Sequence, residues 1–104
     1  MRELVEIESP TYSDGVRRVA LRLGEELAAG GARVRLLEGN HLISEFAGAG
    51  EPLLIVGHTD TVWPVGTLAD MPFRIEDGRV FGPGTYDMKA TLVVVIEALR
   101  RAER

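Results

Sequence analysis

Apolar residues along the chain fall into three textures, and each predicts a different element. Between Ser13 and Gly31, Val16, Val19, Ala20, Leu23 and Leu27 recur at helical intervals, while Arg17, Arg18, Arg22 and Glu26 lie elsewhere. That spacing predicts an amphipathic packing helix. Ser13 or Asp14 can cap its start through a side-chain oxygen, and Gly30-Gly31 supplies the left-handed residue that often ends a helix. Glu25 and Glu26 are adjacent, so they point about 100° apart and are expected on a solvated face, not as a carboxylate pair. Residues 1–12 predict a short helical turn, broken where Pro10 biases Ser9 out of the helical region. Strict alternation comes next. Val34 and Leu36 face opposite Arg33 and Arg35, and from His41 to Ala47 the residues Leu42, Ser44 and Phe46 share a face. With Glu38-Gly39-Asn40 as the turn, the two segments predict an antiparallel hairpin. His41 sits at that turn and is expected to be solvent-exposed.

The third texture is an unbroken apolar run, Leu53-Leu54-Ile55-Val56, leading into Gly57-His58-Thr59-Asp60. It predicts a strand buried on both faces, with its last residues emerging at the C-terminal edge of a helix-covered sheet. Open α/β folds place their chemistry at that edge. His58 and Asp60 are two apart, so an extended backbone sends both side chains from one face. A carboxylate can hold the proton on one imidazole nitrogen and leave the other free as a metal ligand or base. Taken alone, the pair reads more readily as a strand-end histidine with an Asp turn behind it.

Beyond it, Thr61–Thr67 is a loop whose Trp63 either lines a binding site or covers the core's edge. Asp77-Gly78, between Phe73–Glu76 and Arg79–Phe81, is a strong hairpin signal. It delivers the chain into Gly82-Pro83-Gly84-Thr85-Tyr86-Asp87-Met88-Lys89, where two glycines allow a close backbone approach. A nucleotide-binding loop needs more glycines and a Lys-Ser/Thr ending, both lacking here. From Met88 onward, Leu92, Val95, Ile96 and Leu99 predict a helix buried on most of its circumference, with a Glu97–Arg101 ion pair four apart. Asp87 stands at or just before that helix, where unpaired N–H groups favour an anion, and on its own it reads as a cap.

Composition narrows the classes. With 104 residues, 45% hydrophobic and 27% charged, the chain suits one small globular domain. A net charge of -4 without a basic stripe argues against nucleic-acid binding. No apolar run approaches a bilayer span and no signal-peptide pattern opens the chain, so neither a membrane partner nor export is expected and a cytoplasmic location is the default. Cysteine is absent, so any metal falls to His, Asp and Glu.

In combination the signals sharpen. Gly57-His58-Thr59-Asp60-Thr61-Val62 and Gly82–Lys89, supported by Ser9-Pro10-Thr11 and Asp77-Gly78-Arg79-Val80, resemble the zinc aminoacylases, glutamate carboxypeptidases and succinyl-diaminopimelate desuccinylases. These form one family of two-metal peptidases, and the likeness covers nearly the whole chain. Asp60-Thr61-Val62-Trp63-Pro64-Val65-Gly66 looks most like the glutamate carboxypeptidase branch. The resemblance implies an α/β fold, a partial three-layer mixed sheet with flanking helices. Residues 1–104 would then be the N-terminal part of a metallopeptidase catalytic domain, without the rest of that domain or the smaller dimerisation and lid domain.

It also implies that His58 ligates one zinc, that Asp87 bridges two, and that Asp60 is the member of the catalytic set that orients the histidine. The Asp87–Met88 peptide is expected to be cis. The implied cofactor is zinc, two ions per complete site, with cobalt or manganese as alternatives. The implied chemistry is amide hydrolysis in a small peptide or N-acyl amino acid, the full-length protein being a homodimer. One departure is Ala90-Thr91, where the family mainly has glycine after the lysine. The family's general base, a glutamate beside a second acidic ligand, lies downstream of the bridging aspartate. Here only Glu97 and Glu103 follow, and neither belongs to a Glu-Glu pair. The isolated chain is therefore expected not to turn over substrate, and a sheet cut midway is expected to leave apolar surface uncovered. The rival expectation is a catalytically inert fragment or interaction module that keeps the fold.

Overall fold

A computed structural model describes residues 1–102; Glu103 lies outside the described residues, as does Arg104. A short helix α1 (Arg2–Val5) precedes the long helix α2 (Asp14–Ala29), which leads into strands β1 (Arg33–Leu37) and β2 (His41–Glu45). A short helix α3 (Thr67–Asp70) and strands β3 (Arg74–Glu76) and β4 (Arg79–Phe81) follow. An irregular helical turn, Thr85–Lys89, then feeds α4 (Ala90–Arg101).

The periodic segments fold as their patterns dictate. Val19, Ala20 and Leu23 of α2 are buried, and Gly31 adopts a left-handed φ of 96° just beyond the helix. The β1–β2 hairpin is antiparallel with Leu37 opposite His41 and Val34 opposite Ser44, and His41 is exposed. Gly24 lets α2 lie close on this hairpin, because a Cβ there would meet Val34 Cγ1 at 3.2 Å and Leu42 Cδ1 at 3.3 Å. The second hairpin pairs Arg74 with Phe81 and Glu76 with Arg79, and its tip residues Asp77 and Gly78 both have positive φ, 50° and 73°. That is the backbone which an Asp-Gly turn favours. The core sits between α1, α2 and α4: Leu4, Val19, Leu23 and Ile96 are buried, with Ile7, Leu27, Leu42, Leu92 and Val93 against them.

Other expectations are corrected. The segment Leu53–Asp60 is not a buried strand. Leu53, Leu54, Ile55 and Val56 are 86%, 83%, 52% and 78% exposed, and among the described residues no strand pairs with them. A strand's apolar faces are buried only when neighbouring strands and helices cover them, and β1–β4 are engaged in their own hairpins. Among the described residues the sheets are two separate two-stranded antiparallel ladders, joined by no mixed sheet, and the parallel element is a single bridge between Pro10 and Thr61. Helix α4 is half-covered, with Ile96 buried but Val94 66% exposed, since it packs on one side only. Ser13 stands at the N-cap of α2, yet its hydroxyl makes no capping bond and is buried without a partner. Glu26 is not simply solvated, since Arg22 and Arg100 both pair with it, drawing α2 and α4 together. The expected Glu97–Arg101 pair forms at 2.6 Å.

The result is a thin α/β assembly, 46 × 36 × 20 Å. Its radius of gyration, 14.4 Å, exceeds the roughly 13 Å usual for a globule of this length. No helix among the described residues is long and apolar enough to cross a membrane.

Candidate metal centre

Two loops meet at one end of this assembly. The first carries His58 and Asp60 past the N-terminal segment, to which it is tied by Thr61 N–H donating to Ser9 O at 2.7 Å. The second is the turn that follows β4. Gly84 has φ 76°, and a Cβ there would meet Thr61 Cγ2 at 2.5 Å, so glycine is what lets the second loop lie against the first. Past Gly84 the turn is irregular: Asp87 (φ -122°, ψ 93°) and Met88 have non-helical backbone, and the Asp87–Met88 peptide is cis, as the family resemblance implied. Asp87 thus stands ahead of α4 in the turn, not in the helix's first turn. Met88 reaches back, its Sδ accepting the His58 N–H at 3.4 Å.

The three side chains singled out by the sequence converge. His58 Nε2 lies 2.8 Å from Asp87 Oδ1, and His58 Nδ1 lies 3.0 Å from Asp60 Oδ1 and 3.1 Å from the Asp60 carbonyl. The opposite oxygen of Asp60 accepts a hydrogen bond from the Thr11 hydroxyl. Partial burial works against a charged His58. The hydrogen bonds to Asp87 and the Asp60 carbonyl, with the charges of both carboxylates, outweigh it and raise the imidazole pKa above its ordinary value. Asp60 is shifted down, chiefly by the Thr11 hydrogen bond; burial pushes the other way, and the His58 charge and hydrogen bond add to the downward shift.

This geometry poses a proton problem with a chemical reading. A neutral imidazole carries one N–H, yet both ring nitrogens here face carboxylate oxygens. Either the ring is an imidazolium, or another cation takes the place of the Nε2 proton. The donor set is compatible with the second case: an aromatic nitrogen lies beside a carboxylate oxygen, with the far nitrogen fixed by an acceptor. Two atoms on one tetrahedral zinc, each at about 2.0–2.1 Å, lie about 3.3 Å apart, so this pair needs to open by only about half an ångström. Among the described residues no cluster of three or more His, Cys, Asp and Glu side chains is arranged to hold an ion. His58 and Asp87 are a pair, one donor atom each.

A set of supporting residues, one of them without any signal in the sequence, surrounds His58, Asp60 and Asp87. Ser9 is fully buried and its hydroxyl donates to Thr59 O at 2.8 Å. Lys89, 1% exposed, donates from Nζ to Ile7 O at 2.6 Å, and burial pushes its pKa down to about 8 against the pull of Glu8. The Glu8 carboxylate accepts the Gly66 N–H at 2.9 Å and the Leu68 N–H at 3.0 Å, and these bonds hold it below the ordinary carboxylate value. Trp63, 40% exposed, lines a small crevice with Glu8, Thr61 and Lys89, beside the loop's anchor and away from open solvent on one face. Ser9 and Thr11 were visible as a supporting motif and Lys89 as part of the second. Glu8 carried no sequence signal, because its partners are backbone N–H groups nearly sixty residues away.

Comparison with known proteins agrees with the motifs. Residues 54–104 match the family model for peptidase family M20/M25/M40. The chain is 32% identical over 108 aligned residues to carboxypeptidase G2 of Pseudomonas sp., a match covering 96% of this chain and 26% of that protein. It is 36% identical over 111 residues to the succinyl-diaminopimelate desuccinylase of Beijerinckia indica, covering 93% of this chain and 28% of the relative. The desuccinylase of Anaplasma marginale is 35% identical over 69 residues, with coverages of 64% and 18%. The chain therefore spans about a quarter, or less, of the length of these relatives.

Proposed function

We propose that this chain, whose residues 54–104 match the model of peptidase family M20/M25/M40, supplies the first part of the metal site of an amide-bond hydrolase. His58 would hold one zinc, Asp87 would serve both ions of the complete site, and Asp60 would hold the imidazole in place. Residues 1–104 are then the N-terminal part of a catalytic domain whose remaining ligands and general base lie beyond them. The observation that carries this reading is the arrangement of His58: Nε2 is 2.8 Å from Asp87 and Nδ1 is 3.0 Å from Asp60. When bound, zinc polarises a substrate carbonyl and lowers the pKa of water. The chain's own residues orient the ligand ring, keep its Nε2 lone pair aimed at the ion, and supply negative charge from one side. Substrates are small peptides or N-acyl amino acids. The loop Asp60–Gly66, most like the glutamate carboxypeptidase branch, supports a glutamate-terminated amide within that class.

Calorimetric titration of the metal-free chain with zinc tests the reading. Weak binding is expected, with at least about a tenfold loss in His58→Ala and in Asp87→Ala, each removing one donor. Binding unchanged in both variants would contradict it. The same samples, assayed for release of glutamate from N-acylated substrates, are expected to show no turnover. Efficient turnover by the pure chain, abolished by His58→Ala, would show that the site is complete in these residues. The rival reading, an inert module that keeps the fold, draws on the exposed Leu53–Val56 run, and it predicts no zinc binding at His58 at all.

A further inference from the structure

The metal-site reading uses His58, Asp60 and Asp87, and leaves Ser9-Pro10-Thr11 without a role. The structure gives this segment one. Residues 7–11 form a strap across both site loops, held at four places. Lys89 Nζ reaches Ile7 O at 2.6 Å, Ser9 Oγ reaches Thr59 O at 2.8 Å, and Thr61 N–H reaches Ser9 O at 2.7 Å. The fourth tie is a side chain to a side chain: the Thr11 hydroxyl donates to Asp60 Oδ2, while Asp60 Oδ1 faces His58 Nδ1.

We propose that Thr11 is a positioning residue of the metal site, fixing the Asp60 carboxylate so that its other oxygen holds His58 with Nε2 turned toward Asp87. A carboxylate on a two-bond stem rotates about its last torsion, and one hydrogen bond does not stop that rotation. Two bonds on opposite oxygens do. The strap makes this possible, because Thr11 is itself exposed and would otherwise have many rotamers and positions open to it. Two residues earlier, Ser9 is fully buried and bonded through both its hydroxyl and its carbonyl, so the backbone delivering Thr11 is fixed. Helix α2 closes the strap from outside: a Cβ at Gly15 would lie 1.7 Å from Glu8 O, so that helix rests directly on it. A bland role, a surface hydroxyl that happens to reach a carboxylate, predicts no consequence at the ring two contacts away.

The inference takes the role of Asp60 from the proposed function, but its first readout needs no metal. In the metal-free full chain with 15N-labelled histidine and His41→Gln to leave one ring, the His58 resonances report the hydrogen bonding of each nitrogen separately. Wild type is expected to show Nδ1 protonated and held by Asp60, with Nε2 against Asp87. Thr11→Val, which keeps the branched shape and removes the hydroxyl, is expected to move the Nδ1 resonance as the Asp60 bond loosens, and Thr11→Ser to restore the wild-type pattern. Folding of each variant is followed through the amide resonances of β1 and β2. If Thr11→Val fails to fold, Thr11→Ser carries the test alone, and a changed nitrogen pattern there overturns the proposal. So does an unchanged pattern in folded Thr11→Val.

Zinc affinity is the second readout. Loss of a group that directly orients a ligand typically weakens metal binding 10–100-fold, so a group one contact further out is expected to cost about three- to tenfold. Nitrogen patterns that respond to Thr11→Val in a chain that binds no zinc leave the positioning role standing and refute the metal site. Zinc binding at His58 with affinity and nitrogen patterns indifferent to Thr11→Val does the reverse.

Discussion

The helical core and the site loops of this molecule are built on opposite plans. Helices α1, α2 and α4 close over Leu4, Val19, Leu23 and Ile96, and α2 also covers the β1–β2 hairpin, so apolar sequence there becomes apolar interior. The loop from residue 53 to residue 66 is as apolar at its start, yet Leu53–Val56 face solvent and the order of the loop comes from polar ties to residues 8–11. One region is stabilised by burial, the other by hydrogen bonds whose partners lie about fifty residues apart. The lesson is that the candidate site depends less on the hydrophobic core than on the polar ties to residues 8–11 that hold its loop.

Four substitutions sharpen this contrast. Leu23→Ala, at 5% exposure inside the core cluster, is expected to have the largest effect, costing about 2–5 kcal/mol in denaturant unfolding. Gly15→Ala comes next. Its methyl group collides with the Glu8 carbonyl, so the strap must shift, at about 1–3 kcal/mol. The diagnostic sign is a change at His58 as well as in stability, since a core mutation alone leaves the ring's partners in place.

Glu8→Gln acts through pH. The carboxylate is held below its ordinary value of 4.5 by the Leu68 and Gly66 N–H groups, with Lys89 adding to the effect. A depressed folded pKa contributes stability above the unfolded value and loses it as pH falls through the folded one. Wild type is therefore expected to exceed Glu8→Gln in stability at neutral pH, with the gap closing as pH drops below 4.5. A gap that stays constant with pH contradicts the capping role. Leu54→Ser is expected to have the smallest effect, within about 0.5 kcal/mol, because that side chain is already 83% exposed. A large loss there means that the run is buried in solution.

What could be read from sequence follows the same division. The α2 periodicity, the alternation of Arg33–Leu37 and the Asp77-Gly78 turn are local codes, and the structure follows them to within a residue or two. The contact of His58 with Asp60 was readable from a two-residue spacing, and its contact with Asp87 came only with the family likeness, which relates loops 29 residues apart. The double-sided burial of Leu53–Val56 was misread because an apolar run signals that a partner is needed without saying which segment provides it. Glu8 gave no signal, and Lys89 stood in its motif without a legible role, for a related reason. Their partners are backbone groups at Gly66, Leu68 and Ile7, and a main-chain N–H or C=O leaves no trace in the residue letters. Even the Ser13 cap, a local signal, fails because the hydroxyl is buried without a partner instead of reaching the helix backbone.

The central claim is that the Nε2 of His58, and not its Nδ1, is presented to a cation together with Asp87. Adding zinc to the 15N-histidine-labelled chain tests it directly, because the two ring nitrogens are observed separately. The account predicts that the Nε2 resonance of His58 moves with zinc while Nδ1 keeps its proton on Asp60 and His41 stays unchanged. A response confined to His41, or a shift at the Nδ1 of His58 with Nε2 unmoved, would contradict it.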